Sequence, residues 1–593
     1  MNDIQQRLSA LRSQMKKQHI AAFITTGSDP HGSEYFADHW KEMEWISGFT
    51  GEAGTALILH DEAFIWTDSR YYLQANMQLA DTGFSLMRDG ELTTPSIPQY
   101  ITNHLHKGDV VAINAELFSN NAFVGIQNIL SEYGIKLQSA DLIGPLWTEG
   151  RAAVPTGALY AYDEKYAGQN TADKLNLVRS KMAEMHADIL VTSALDEIAW
   201  MLNIRGTDVE FNPVVVSYVI LSQHECTLFI APEKLTPEAL QYLVHNKIAV
   251  GDYNHIYAAL RLISPDQSVL FDGSKLNRAL FEAIPQGCKK IDRQTPITLL
   301  KAQKNDVEIA GERAAMIKDG VALTRFFMWV EQAVKVAELT EYDLGLKLKG
   351  FRAEQENFVE ESFGSIVGYQ GNGAIVHYSA PQQGSAIVKP DGMLLVDSGG
   401  QYLEGTTDIT RTICLGRPTE QMIHDYTLVL KGHLALARAR FPHGTRGSQL
   451  DVLAHQYLWQ EGLSYGHGTG HGVGHFLCCH EGPQNIRMNE NPAILETGMI
   501  VSDEPGLYRT GKWGIRIENL ITVVPAEETE FGNFLKFETI TLFPYERQLI
   551  DTSMLDNNEI AWINNYQQQV YDSIAPHLKP DEQEWLKKKC AKL

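Results

Sequence analysis

The chain has 593 residues, too many for one hydrophobic core, and at roughly 150 residues per domain it should hold about three to four domains. Its 44% hydrophobic and 21% charged residues are the balance of a globular protein and exclude disordered, collagenous and low-complexity classes. With 50 basic against 73 acidic residues the formal charge is −23, which excludes the clustered Lys and Arg that a phosphate backbone demands, so no nucleic-acid partner is expected.

The first residues, Met1 to Lys17, include Asp3 and lack the apolar core of a secretory signal, and no run of about 18 apolar residues could span a bilayer. No membrane partner is expected, and the default address is cytoplasmic. The six cysteines (Cys226, Cys288, Cys414, Cys478, Cys479 and Cys590) form no CxxC pair and no dense framework, which fits free thiols in a reducing compartment.

In chain order, helical patches alternate with short apolar runs such as Ala21 to Ile24, Thr55 to Leu59 and Val110 to Ile113, the pattern of an α/β domain over residues 1–155. The pattern restarts after Pro155. Asp188 to Val191, Val214 to Val216 and Cys226 to Ile230 read as strands of a second α/β domain over 156–303. Asn305 can then cap a helix with Glu308 three residues on, and Ala310, Ala314, Ile317 and Val321 at 4-3-4 spacing predict its buried face. This helix opens a third domain, 304–530, with further helices over Thr419 to Arg440 and after Ser448. Residues 531–593, rich in Trp, Asn, Gln and Lys, read as a helical extension.

The third domain carries the chemistry. Met393 to Asp397 is an apolar strand ending in a carboxylate, and Asp408 opens another after a Gly-rich connection, so a hairpin would bring the two acids together. Such a pair either shares a proton, binds a cation or simply flanks a solvated turn. Next comes Tyr465 to His475, with His467, His471 and His475 at four-residue intervals among glycines that let the backbone lie close to what the imidazoles address. So many glycines predict a loop or strand rather than a helix, and short His-rich tracts are a metal-site composition. Phe476 to Cys479 reads as a strand entering the core, ended by His480. Glu504 follows the apolar run Ile500-Val501-Ser502, and Glu518 lies within an apolar strand from Gly514 to Val523, where a buried Glu needs a partner, either Arg516 or a cation. Asp397, Asp408, His471, Glu504 and Glu518 together favour the cation. Four carboxylates with one imidazole and no cysteine suit hard or borderline ions rather than a structural zinc site.

With these residues in hand the chain resembles the pita-bread metallopeptidases, specifically the long cytosolic aminopeptidase P form, over essentially its whole length. The likeness rests on Ile375 to Ala380, Asp397 to Gly400, Thr407 to Thr412, Gly466 to Gly474, His480 to Pro483, Asp503 to Gly506 and Gly514 to Asn519. Gly48 to Thr55, Trp66 to Tyr71 and Leu195 to Trp200 extend it over the first two domains. The resemblance implies two creatinase-like N-terminal α/β domains resembling each other, an α+β pita-bread catalytic domain and a short C-terminal helical extension. It implies Asp397 on one divalent ion, His471 and Glu504 on the other, and Asp408 and Glu518 bridging both, with manganese first and zinc or cobalt as alternatives. A bridging hydroxide would attack the bond between the first residue and proline. The catalytic residues carried over are His377, His467, His480, Glu504 and Arg516. His475 departs from the pattern and is expected to pack rather than ligate. A homodimer acting on peptides with proline in second position is expected. A prolidase, which cuts only dipeptides, could carry the same ligands, and a non-catalytic pita-bread binding module is a third reading that the complete ligand set disfavours.

Overall fold

A computed structural model describes residues 3–593. The chain divides into two compact units, one made of the described residues up to Glu164 with Gln169–Thr298, the other of Lys165–Gly168 with Leu299–Leu593.

The first unit holds two six-stranded sheets, each over its own apolar core. In the first sheet the central strand Ala22–Thr26 lies between Thr55–Leu59, antiparallel, and Val110–Ile113, parallel. In the second, Ile189–Thr192 lies likewise between Ser217–Ser222, antiparallel, and Ser268–Phe271, parallel. Numbered along each domain, both sheets run 4-3-2-1-5-6 with the same sense at every pairing. The mutual likeness expected of the two domains is thus present in strand order. Val214 to Val216 is not a strand; Val216 donates its N–H to Asp208 Oδ2 at 2.7 Å, so a side chain takes the place of a neighbouring strand, and pairing begins at Ser217.

In the second unit, helix α1 (Asp306–Ala333) starts as expected, Asn305 accepting from the N–H groups of Val307 and Glu308 while Glu308 returns a bond to Asn305. Its buried face agrees only in part with the expected one. Val321 is buried and Ile317 packs against the same core, but Ala310 and Ala314 are exposed, whereas Glu308, Glu312 and Asp319 are buried. Each of these acids has a partner, so apolar spacing alone misses them. Asp319 takes a bidentate pair from Arg352 of α2 (Glu341–Ala353), at 2.7 and 3.0 Å.

Strands β1 (Ile366–Tyr369), β2 (Met393–Ser398) and β3 (Ile409–Cys414) form an antiparallel sheet. Helix α3 (Glu420–Ala437), strand β4 (Arg440–Pro442) and helix α4 (Gly447–Gln460) follow. Next come β5 (Gly470–Gly472), β6 (Glu481–Ile486), β7 (Ile500–Asp503), β8 (Gly506–Arg509), β9 (Trp513–Arg516), β10 (Asn519–Thr529) and β11 (Gly532–Thr539). The larger sheet has the order β4-β11-β10-β7-β5-β6, and β8 and β9 pair as a separate hairpin. The C-terminal extension therefore begins as a strand of the site's own sheet. Its helices α5 (Asn557–Ile574) and α6 (Pro580–Lys589) share a core with α3: Tyr545, Ile563, Tyr566 and Val570 join Val429, Leu430, Leu434, Ile515 and Ile517. Among the described residues no helix is long and apolar enough to cross a membrane, and all six cysteines are free.

Breaking one half of a buried, bidentate ion pair strands the other charge. Asp319→Ala should therefore lower the unfolding free energy of the second unit by about 3–5 kcal/mol, read by denaturant titration; a loss below about 1 kcal/mol would contradict the role given to the pair.

Candidate metal centre

Two strand pairs end at the same place. In β2 and β3 Asp397 lies across from Thr410, with Asp408 two residues before it. In β7 and β10 Asp503 lies across from Asn519, so Glu504 and Glu518 flank that pairing. Glu518 is not inside a strand; it occupies the break between β9 and β10, which frees its backbone to bond Thr410 O at 3.1 Å while Thr410 Oγ1 donates to its carboxylate at 2.7 Å.

The histidine run brings the fifth donor. His471 sits in short strand β5, as a glycine-rich strand would place it, and the glycines are needed for close approach: a Cβ on Gly470 would fall 1.9 Å from Ser502 O, and one on Gly472 2.4 Å from Glu481 O. His471 Nδ1 faces only the carbonyl of Gly472 at 3.0 Å. A ring protonated on Nδ1 alone would turn an Nε2 lone pair toward a bound metal ion. That nitrogen is 3.3 Å from Asp408 Oδ2 and 3.5 Å from Glu504 Oε1. Ser502 links the two arms, accepting from His471 N and donating to Glu504 Oε1, both at 3.0 Å.

Donor atoms lie within 4.8 Å of one another in three overlapping sets: Asp397, Asp408 and Glu518; His471, Glu504 and Glu518; and Asp408, His471 and His480. All five expected ligands thus converge on one pocket, with His480 edge-on to His471 at 4.3 Å between ring centres.

Arg516 does not pair with Glu518. Its guanidinium donates to Asp397 Oδ2 at 2.7 and 3.2 Å and to Tyr508 OH at 2.7 Å. Tyr508 OH lies 2.8 Å from His467 Nε2, whose other nitrogen faces Gly468 O, so the phenol donates to His467 and the order Arg516, Tyr508, His467 has a defined direction. His377 lies on the segment whose Val376 carbonyl is 3.4 Å from Arg516 Nη2. His475 packs as expected: its nitrogens contact Glu312 Oε1 at 3.0 Å and Tyr166 O at 3.1 Å, not the five expected ligands. Phe476, Leu477 and Cys479 are buried, but the segment is not a strand; Phe476 has φ of 46°, which turns the chain, and β6 begins only at Glu481.

Burial raises the carboxyl groups of Asp397 and Glu518, neighbouring acids adding to the effect, and pushes Glu504 up to about 7 against the charges of His471 and Arg516. Asp408 is also desolvated, yet the hydrogen bond and charge of His471 hold it below its ordinary range. Asp397 Oδ1 is buried with no hydrogen-bond partner. An orphaned carboxylate oxygen, an imidazole lone pair and three further acids turned inward are what divalent cations satisfy, so the residues present fit a dinuclear centre.

The helpers Tyr508, Ser502, Thr410 and Cys479, whose Sγ is 3.3 Å from Asp408 Oδ2, are not among the residues expected from the sequence. Thr410 could have been found from the alternation of β3; the others lack any local signal.

Family models match in the same order as the domains: the Creatinase/Prolidase N-terminal domain at residues 7–143 and again at 150–308, metallopeptidase family M24 at 310–525, and the C-terminal region of peptidase M24 at 533–593. Xaa-Pro aminopeptidase 1 of Dictyostelium discoideum is 39% identical, over 98% of this chain and 96% of that protein. The chain belongs to the Xaa-Pro aminopeptidase family. Xaa-Pro aminopeptidase ApepP of Drosophila melanogaster, another member, is 40% identical over 96% of this chain and 95% of its own length. In structure, the family's X-prolyl aminopeptidase from Caenorhabditis elegans, described as a cytosolic enzyme with a di-nuclear active site, superposes with a TM-score of 0.95 at 31% identity, covering 100% of both chains. An Xaa-Pro dipeptidase from Bacillus anthracis matches at a TM-score of 0.52 and 25% identity, covering 64% of this chain and 99% of that one.

A carboxyl raised on folding makes the native state hold a proton that the unfolded chain releases, so stability falls as pH rises from the unfolded pKa near 4.5 to the folded value of about 7. Metal-free enzyme should lose stability over that window, and Glu504→Gln should lose less of it. Melting temperatures measured from pH 4.5 to 7.5 test this; parallel curves for the two proteins would refute it.

Proposed function

We propose that the chain is a metal-dependent aminopeptidase releasing the residue that precedes proline at a peptide's N-terminus. One observation carries the reading: five donors converge in a chain similar to Xaa-Pro aminopeptidases along nearly its whole length. Asp397 would serve one divalent ion, His471 and Glu504 the other, and Asp408 and Glu518 both. Two such ions, when bound, make water acidic enough to serve as nucleophile and polarise a peptide carbonyl. Carboxylate-rich ligation favours manganese, with zinc or cobalt as substitutes.

The side chains do the rest. Glu504 would take the proton of the attacking water. His480 and His377 supply hydrogen bonds to the developing oxyanion and return a proton to the departing proline nitrogen. His467, oriented by Tyr508, forms one wall of the proline pocket. Arg516 orients Tyr508 while offsetting the charge of Asp397. Proline's tertiary amide lacks an N–H, so a pocket for the ring is the natural basis of selectivity. The proposal extends to a cytoplasmic homodimer and to working divisions at residues 1–155, 156–303, 304–530 and 531–593. A prolidase is the weaker reading, since the dipeptidase likeness covers 64% of the chain and the aminopeptidase likeness all of it.

Two measurements test the proposal. Elemental analysis should find two divalent ions per chain, and Xaa-Pro-Yaa tripeptides should be cleaved, with activity lost to chelator and regained with manganese; cleavage confined to Xaa-Pro dipeptides would point to prolidase. Glu518→Ala should lower kcat by at least about a thousandfold, on the order of 4 kcal/mol, while circular dichroism stays native. Near-normal turnover in that variant would rule out a bridging role.

A further inference from the structure

One fully buried arginine beside the site has no part in the chemistry above. Arg411 lies in β3, one residue past Thr410, and is 1% exposed. Its guanidinium makes six hydrogen bonds, to Pro544 O, Thr410 O, Glu518 O, Asn519 Oδ1, Phe543 O and Tyr566 OH, at 2.6 to 3.2 Å. Every N–H of the fork is used, and every acceptor is uncharged. Three acceptors belong to the catalytic domain and three to the C-terminal extension.

We propose that the C-terminal extension is a working part of the metal site, with Arg411 as the positioning residue that joins the two. This inference rests on the metallopeptidase reading. Glu518 sits in a break between strands, so no ladder fixes it, and it is held at three points instead: its N–H by Thr410 O, its carbonyl by Arg411 Nη1 at 2.6 Å, and its carboxylate by Thr410 Oγ1. The carbonyls of Thr410 and Glu518 share the same guanidinium nitrogen, so the two residues move only with Arg411. The extension in turn fixes Arg411. Phe543 and Pro544 offer their carbonyls, Tyr566 of α5 its hydroxyl, and Tyr545 lays its ring 5.0 Å from the guanidinium carbon. A second route runs parallel: Tyr545 OH accepts from Asn519 Nδ2 at 2.9 Å and contacts His433 Nε2 at 2.9 Å. An outer shell of this kind sets ligand orientation and thereby metal affinity.

A lysine could not replace this fork, because its three donors leave a single nitrogen and cannot reach carbonyls spread around the edge of the guanidinium plane. A buried cation with no anion in direct contact is costly to keep. Arg411 therefore does more than fill space.

The test uses full-length protein carrying Arg411→Lys or Tyr566→Phe, each loaded with manganese and titrated against a chelator. Circular dichroism and melting report the fold, elemental analysis the retained metal, and kcat and KM are measured separately at rising manganese. Arg411→Lys should bind manganese at least about tenfold more weakly in folded protein. Its kcat should fall and recover as manganese is raised, with KM little changed. Tyr566→Phe, which deletes one hydroxyl and keeps the ring, should weaken binding by about two- to tenfold. Wild-type affinity in folded Arg411→Lys overturns the proposal; where that variant does not fold, wild-type affinity in Tyr566→Phe does so. Wild-type protein that takes up no divalent ion would overturn the metallopeptidase reading itself and this inference with it, whereas normal loading of the wild type with unchanged variants overturns this inference alone.

Discussion

Carboxylates crowded out of water repel one another and lose hydration, and a fold tolerates them only where opposing charge and hydrogen bonds are supplied. Four such groups meet here at the ends of β2, β3, β7 and β10, and the architecture around them follows from that constraint. Arg516 offsets Asp397 from one side, His471 lowers Asp408 from another, and Thr410 and Ser502 donate to Glu518 and Glu504. What remains, an unpartnered Asp397 oxygen and three carboxyls raised by burial, is the demand that divalent cations meet.

The scaffold answers with backbone more than with side-chain bulk. The antiparallel registers place Asp397 opposite Thr410 and Asp503 opposite Asn519, which sets the acids side by side without any loop having to be ordered for the purpose. The glycines of the histidine run remove the Cβ atoms that would hold β5 away from Ser502 and Glu481. Helix α3 and the C-terminal helices close a shared apolar core that takes in Ile515 and Ile517, next to the donor Glu518.

Much of this was legible because the site's signals are local. A carboxylate at the end of an apolar strand, a His/Gly run and a capping box are each readable within a few residues, and the five donors named from them do converge. What escaped reading depended on long-range pairing. Val214 to Val216 looks like a strand because its sequence is β-branched, yet its backbone bonds to the Asp208 side chain. The buried face at the start of α1 was misplaced because Glu308, Glu312 and Asp319 are polar by type and buried by partnership, with His475 and Arg352 supplied from far along the chain. Arg516 stood as the alternative partner of the near acid Glu518, whereas folding delivers it to Asp397, 119 residues away. Tyr508 and Ser502 became visible only when two strands placed their hydroxyls between groups that no spacing connects.

The two N-terminal sheets share strand order and the sense of every pairing while differing in sequence. One blueprint was thus written twice, and tandem duplication of an ancestral segment is the simplest history that yields it. Copies freed from one another in this way drift on their surfaces first, since each must keep its own interior. Each copy keeps its own apolar interior, so a change on the outer face of one leaves the packing of the other untouched.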